Sequence, residues 1–343
     1  MKKKVAVLFG GQSTEHEVSR ASATSVLKNM DTTKYDIYPI GITKDGKWFE
    51  YTGNYDLIEN GEWEKDEFYK RPDGQNILFN KEVDAVFPVL HGLYGEDGTI
   101  QGMCKLLNVP CVAPGVLSSA VCMDKVYTKY LLERFNIKQA DYVIVNAFEF
   151  KDKKDDLIKR IEEELKYPVF IKPSNSGSSV GITKAHDRQE LLKGLELALI
   201  YDRKVLVEKA INAREIEVAV LGNDYPIAAV PGEIIPAKEF YDYEAKYQNE
   251  SSRAIIPAAL REEKLKEIKE IAISIFKILD CAGMARVDFL VDKDTQIVYL
   301  NEVNTIPGFT KISMYPKLWQ ASGKSYPKLI DDLIELAIER KNN

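Results

Sequence analysis

The sequence predicts an α/β protein of two or three domains. The chain opens with an apolar stretch at Val5–Phe9 that runs into Gly10-Gly11 and then a helical pattern, the order of a buried parallel strand turning into a helix. Strand-like and amphipathic stretches then alternate along the chain. At 343 residues it is long for a single core.

An apolar content of 45% with 29% charged residues describes an ordinary globular protein. The net charge of −6 argues against general nucleic-acid binding but leaves room for a local basic pocket. The four cysteines form no C-x-x-C pair and the three histidines have no zinc spacing, so buried, reduced thiols in a cytoplasmic protein are expected. The first apolar run breaks at Gly10-Gly11, too early for a signal peptide, and no run approaches the ~18 apolar residues of a membrane span.

In order, Gly10–Thr14 is a tight turn and Glu15–Met30 a helix, with Thr14 and Glu17 spaced as a capping box. Strands are expected at Asp36–Ile42 and Val83–Leu90, closing a parallel-sheet α/β domain over residues 1–117. A second domain, 118–211, opens with a helix at Ser118–Phe135 and a strand at Tyr142–Asn146. It continues with a helix at Asp152–Leu165, strand Val169–Lys172, helix Gln189–Ile200 and strand Lys204–Glu208. The third, 212–343, has strands at Ile216–Leu221 and Ile227–Val230. An irregular, tyrosine-bearing stretch follows over 232–256, of a length typical of functional loops. Helix Arg261–Leu279, a hairpin over 285–304 and helix Tyr326–Arg340 complete the chain.

The hairpin carries the strongest chemical signal. Ala285–Val291 and Ile297–Asn304 are apolar runs joined by Asp292–Gln296. With the turn centred near Asp294, Arg286 faces Glu302 and Asp288 lies diagonal to it. Period-two alternation puts Arg286 and Asp288 on one face and Glu302 and Asn304 on one face. Three oxygen ligands and an arginine then converge, a set suited to Mg²⁺ bridging phosphate oxygens. The competing reading, a solvated face with ordinary ion pairs, fits one Asp–Arg pair better than four such residues inside apolar strands.

Other motifs are weaker alone. Ser174–Gly181, after Lys172, reads either as an anion-binding nest or as a plain hairpin turn. Neither a Walker A loop nor a G-x-G-x-x-G fingerprint occurs. Glu208–Ile211 could present backbone and a carboxylate to a purine edge. Met123-Asp-Lys125 reads by itself as surface charge. His91-Gly-Leu-Tyr-Gly-Glu-Asp-Gly-Thr99 lies at the carboxyl end of a parallel strand, where open α/β sheets bind ligands.

Taken together and in order, these motifs resemble those of the D-alanine–D-alanine ligases of the ATP-grasp superfamily, over nearly the whole chain. The carrying segments are Phe9–Ser19, His91–Gly102, Lys172–Gly181, Phe240–Tyr247 and Asn301–Thr310. The resemblance implies a three-domain ATP-grasp fold with an N-terminal parallel-sheet α/β domain, and ATP clasped between the two other lobes. It implies two Mg²⁺ ions, replaceable by Mn²⁺, on Asp288, Glu302 and Asn304. Lys125 and Lys172 would contact phosphates and Glu208–Ile211, with Lys209, would take adenine. Glu215 would meet the ribose; Phe170, Phe240 and Lys246 would complete the nucleotide site.

The implied reaction makes D-alanyl-D-alanine for peptidoglycan precursors through an acyl phosphate. Glu15 would hold the first ammonium, linked to Ser178 and Tyr247, while Glu17 serves the capping box. Arg286 and the Gly308 N–H would be the oxyanion donors. His91 and Tyr241 would line the substrate site, and Lys246, Ser313 and the Met314 backbone would hold the second carboxylate. Residues 232–256 would form a lid, and the protein would be a homodimer acting on two D-alanines and ATP, with no nucleic-acid or membrane partner. Two features depart from the pattern. Lys311-Ile312 stands where relatives often have Ser-His, and Gly41–Trp48 looks like relatives that use D-serine. The apolar Met314 favours D-alanine in both sites. The competing readings are a D-alanine–D-serine ligase, another carboxylate–amine ligase, and a regulatory ATP-binding protein without turnover.

Overall fold

The computed structural model describes residues 1–72, 74–80, 82–235 and 253–342. Strand β1 (Lys3–Gly10) is buried from Val5 onward and is flanked in parallel by β2 (Tyr35–Ile42) and β5 (Ala85–Pro88). Such two-sided burial is what a continuous apolar run in a parallel sheet requires. β3 (Trp48–Tyr51) and β4 (Lys70–Arg71) extend the other edge antiparallel, in the order β4-β3-β2-β1-β5. The expected parallel sheet is therefore mixed.

Helix His16–Asn29 packs on this sheet, but without the expected capping box. Thr14 is exposed, and Glu15, the N-cap residue, makes no side-chain cap bond. Ser13 Oγ instead accepts the Glu15 N–H at 3.1 Å, and Glu17 turns outward to Lys44 at 2.6 Å. That arrangement leaves the Glu15 side chain pointing inward.

The expected helix Ser118–Phe135 is two helices, Val116–Met123 and Lys125–Glu133. Asp124 divides them because its carboxylate caps the second, accepting from the N–H groups of Val126 at 3.1 Å and Tyr127 at 3.2 Å. Lys125 becomes the first residue of a helix whose N-terminus faces the cleft. The central sheet is antiparallel, β6-β9-β7-β8, from β6 (Tyr142–Asn146), β7 (Val169–Pro173), β8 (Thr183–Ala185) and β9 (Lys204–Lys209). Helix Lys154–Leu165 buries Leu157, Ile158, Ile161 and Leu165 against it. Each such side chain contributes about 1.5–3 kcal/mol of apolar burial.

The third sheet is β13-β12-β10-β14-β15, with β11 (Ile227–Ala228) on β10. Its long strands are β10 (Ala213–Gly222), β14 (Gly283–Asp292) and β15 (Val298–Asn304). β12 (Gly232–Ile235) and β13 (Arg253–Ile255) pair antiparallel, so the two ends of the stretch expected to be irregular are strands. Tyr241, Lys246, Tyr247 and Phe240, with the middle of the expected lid, lie outside the described residues.

After β15 the chain leaves this sheet. Ile306, Phe309, Tyr315, Trp319 and the apolar face of helix Tyr326–Asn342 join the same core as β1, β2 and β5. The chain's end is thus built into its beginning, and this crossing places residues 306–314 at the cleft.

Candidate active site

A cleft of about 730 Å³ lies where the three sheets meet, lined by Glu15, Ser176–Ser179, Lys125, Lys172, Glu215, Arg286, Asp288 and the stretch 301–308. Its floor is the hairpin, in a register different from the one expected. Arg286 pairs with Asn304 and Asp288 with Glu302. The register then slips beyond Asp288, where Phe289 pairs with Leu300, so that Asn301 has no partner of its own. A bulge of this kind re-aims side chains at a site, and Asn301 Oδ1 accepts from Lys172 Nζ at 3.2 Å.

Across the other edge of β14, Asp288 pairs with Glu217 of β10. Glu217, Asp288 and Glu302 therefore form a row across three strands, and like charges directly opposite one another repel. Arg286 sits over this row. It donates to both oxygens of Asp288 at 2.7 Å and lies 3.1 Å from Glu217. Burial opposes the guanidinium charge, but Asp288 and Glu217 outweigh it and hold Arg286 well above its ordinary range. Lys125 Nζ is 3.8 Å from Glu302 and donates to Ser176 O at 2.7 Å. Asn304 Nδ2 donates to Asp288 at 2.9 Å. Three carboxylates against two cations leave the row with an excess negative charge, and its donors are all hard oxygens. Oxygens of this kind suit a divalent cation, but among the described residues no three acidic side chains are grouped so as to hold one by themselves. Glu217 was missed by sequence reasoning, although the alternation of Glu215 and Glu217 with Ile216 and Val218 marks it.

Lys172 is held by a second buried charge group. Glu208 lies 2.7 Å from Lys129 and 2.6 Å from Lys172. Burial opposes ionisation of Glu208, yet the two lysines pull it down to about 2. Burial likewise opposes the Lys172 charge, and Glu208 outweighs it and raises that ammonium. The Glu208 side chain thus turns toward two lysines and is not part of the cleft lining. Lys209 and Ile211 follow it, exposed and half-buried, and Phe170, Ile182, Glu215 and Leu290 face the cleft.

At the other end, Glu15 is 5% exposed and accepts a hydrogen bond from Ser178 Oγ. Ser178 and Ser179 both take left-handed backbone, with φ of 47° and 61°, an arrangement that non-glycine residues adopt rarely and mostly where a site demands it. Gly177 lets the loop approach Glu15 closely, since a Cβ would lie 2.3 Å from Glu15 Oε2 and force that carboxylate to shift.

His91 lines the cleft but is buried, and both its ring nitrogens are engaged within the protein, Nδ1 3.0 Å from Ile306 O and Nε2 2.9 Å from Ser22 Oγ. Burial lowers it to about 4, so it is neutral near pH 7. Glu96, also missed by sequence reasoning, is pushed up to about 8 by burial and by Glu15. Ser313 is the N-cap of helix Met314–Ala321 and accepts from the Thr310 N–H at 3.0 Å. The Met314 N–H therefore opens a helix toward the cleft, a ready anion site. Gly308 lies beside it, where a Cβ would sit 2.7 Å from Ser313 Oγ.

Comparison with known proteins agrees with this geometry. Family models described as the N-terminus and the C-terminus of D-ala D-ala ligase match residues 4–114 and 131–335. The chain belongs to the D-alanine–D-alanine ligase family. The family's ligase from Clostridium novyi is 75% identical over 342 residues, covering 100% of both chains. A D-alanine–D-alanine ligase B of Clostridium tetani is 70% identical, over 99% of this chain and 95% of that one. Among solved structures, the VanG D-Ala:D-Ser ligase of Enterococcus faecalis superposes with a TM-score of 0.88 at 43% identity, covering 98% and 100% of the two chains. The D-alanine–D-alanine ligase of Coxiella burnetii gives 0.84 at 38%, covering 99% and 96%. The ATP-grasp fold expected from the sequence is the fold of this family.

Proposed function

We propose that the chain joins two D-alanines into D-alanyl-D-alanine at the expense of ATP, for peptidoglycan precursors. The supporting observation is one cleft lined by both Lys125 and Lys172 and by Glu15 and Ser178, in a chain 75% identical to a D-alanine–D-alanine ligase over its whole length.

The first D-alanine binds with its ammonium on Glu15, whose carboxylate Ser178 orients. Its carboxylate attacks the γ-phosphate of ATP, forming an acyl phosphate and ADP. The amine of the second D-alanine then attacks the acyl carbon and phosphate departs. Phosphoryl transfer of this kind depends on positioning and charge neutralisation. Lys125 and Lys172 supply charge to the phosphates, each fixed by a neighbouring oxygen. Phe170 and Leu290 flank the base and Glu215 takes the ribose. Asp288, Glu302 and Asn304 would hold Mg²⁺, which when bound neutralises phosphate charge. Arg286 and the Gly308 N–H stabilise the oxyanion as it forms. The second carboxylate rests on Ser313 and the N-terminus of helix Met314–Ala321, and buried Met314 presents an apolar wall to its methyl group. Lys246, Tyr247, Tyr241 and Phe240 belong to the same reading. Cytoplasmic residence and a homodimer accompany it; among the described residues no helix is long and apolar enough to cross a membrane.

The experiment is phosphate release from ATP with D-alanine, D-serine and D-lactate offered singly and in pairs, with product analysis. D-Alanine alone suffices on this reading. An apolar pocket rejects an added hydroxyl by only about 10²-fold, so D-serine is a weak second substrate. A product from equimolar amino acids that is mainly D-alanyl-D-serine would refute the choice of second substrate.

A further inference from the structure

We propose that Ser22, His91 and Glu96 are positioning residues that clamp the turn carrying the Gly308 N–H, an inference resting on the reading of that N–H as an oxyanion donor. All three belong to the N-terminal domain, and the turn belongs to the far end of the chain. A carbonyl oxygen only accepts, so in neutral His91 the proton sits on Nδ1 and is donated to Ile306 O at 3.0 Å. Nε2 is then an acceptor, and the Ser22 hydroxyl donates to it at 2.9 Å. That fixes the remaining lone pairs of Ser22 Oγ toward Phe309, whose N–H it accepts at 3.2 Å. Glu96 completes the set, accepting the Ile306 N–H at 3.1 Å with one oxygen and the Gly92 N–H at 3.0 Å with the other. The His91 Nδ1–H, the Ser22 hydroxyl and the N–H groups of Phe309, Ile306 and Gly92 each meet an acceptor.

Both polar groups of Ile306 and the N–H of Phe309 are therefore held from outside the turn. Residue 307 is proline and has no N–H. Of the N–H groups of 306–309, only that of Gly308 stands outside the clamp, and Gly308 lines the cleft. An oxyanion donor works only if it is aimed before the reaction, and misplacement by about 1 Å can reduce a rate 10²-fold.

The test compares His91→Asn with His91→Gln in the full chain, measuring phosphate release from ATP and D-alanine. The asparagine amide lies near the imidazole Nδ1 position and keeps the donor to Ile306. Glutamine is closer to histidine in size but reaches toward Nε2. His91→Gln should lower kcat on the order of 10²-fold, with KM for ATP changed less than about twofold. His91→Asn should recover roughly tenfold of that loss. Ser22→Ala, a smaller change, should lower kcat about tenfold with an intact thermal transition, and it carries the test if a histidine variant fails to fold. The clamp is refuted if asparagine does no better than glutamine, if KM for ATP rises as far as kcat falls, or if Ser22→Ala keeps wild-type kcat. Wild-type protein that releases no phosphate with D-alanine would defeat the ligase reading instead.

Discussion

At the end of the cleft that holds Lys172 and Arg286, side chains are fixed by ion pairs: Lys172 by Glu208, Glu208 by Lys129, and Arg286 by Asp288 and Glu217. At the turn 306–309, backbone is fixed by hydrogen bonds with His91, Ser22 and the Glu96 carboxyl group. The difference follows from what each end must do. Binding a triphosphate calls for surplus positive charge, and a buried group of two lysines and one carboxylate supplies it without stranding any one charge. Aiming a single N–H calls for direction, which hydrogen bonds provide and Coulomb attraction does not.

Breaking the charged end should have the largest effect. Arg286→Met removes the counter-ion of two buried carboxylates and, on the proposed reading, an oxyanion donor. Turnover should fall on the order of 10³-fold, and steady-state phosphate release measures it. A fall below about tenfold would remove Arg286 from the chemistry.

Glu208→Gln comes next. It leaves Lys129 and Lys172 facing one another without a counter-ion, and breaking a buried pair costs about 3–5 kcal/mol. Denaturant melts at neutral pH should show that loss. The folded Glu208 titrates at about 2, below its ordinary 4.5. Its stabilisation is therefore fully present above about pH 4.5 and is lost as pH falls toward 2. The gap between wild type and variant should close over that window and nowhere higher.

Gly177→Ala sharpens the comparison at the amino-acid end. A Cβ there meets Glu15 Oε2 at 2.3 Å, so Glu15 must shift. KM for the first D-alanine should rise about tenfold, near 1.4 kcal/mol, while KM for ATP holds. An equal rise in both would mean that the two ends are not separable.

The smallest effect is a titration. His91, lowered to about 4 from 6.5 by burial, should remain neutral by NMR at about pH 5.5. Because its folded value is depressed, its contribution to stability is present above pH 6.5 and is lost as pH falls through about 4. A ring that protonates near 6.5 would contradict the buried, neutral end described here.

Much of the site can be read along the chain because its signals are local. Lys172 precedes a Gly/Ser loop within ten residues, and strand periodicity alone puts Arg286 and Asp288 on one face and Glu302 and Asn304 on one face. Where the sequence misleads, a competing local bond wins. Ser13 takes the turn that Thr14 and Glu17 could have capped, and Asp124 caps a new helix inside a pattern that reads as one. The hairpin register at Arg286 differs from the expected one by two residues: the turn pairs Val291 with Val298, which accounts for one, and the bulge at Asn301, which leaves no mark in hydrophobic alternation, accounts for the other.

The sequence by itself determined the alternating α/β architecture, the oxygen-rich hairpin, the loop after Lys172 and the family, because each depends on residues a few positions apart. Only the tertiary structure decided that Glu217 joins Asp288 and Glu302 in one row, that the Glu208 carboxylate is shared by two lysines, and that His91 bonds the backbone of Ile306. Those contacts join residues from separate sheets and from opposite ends of the chain. A side chain's role there is set by which partner the fold brings within hydrogen-bond range, and no pattern of period two or 3.6 encodes that distance.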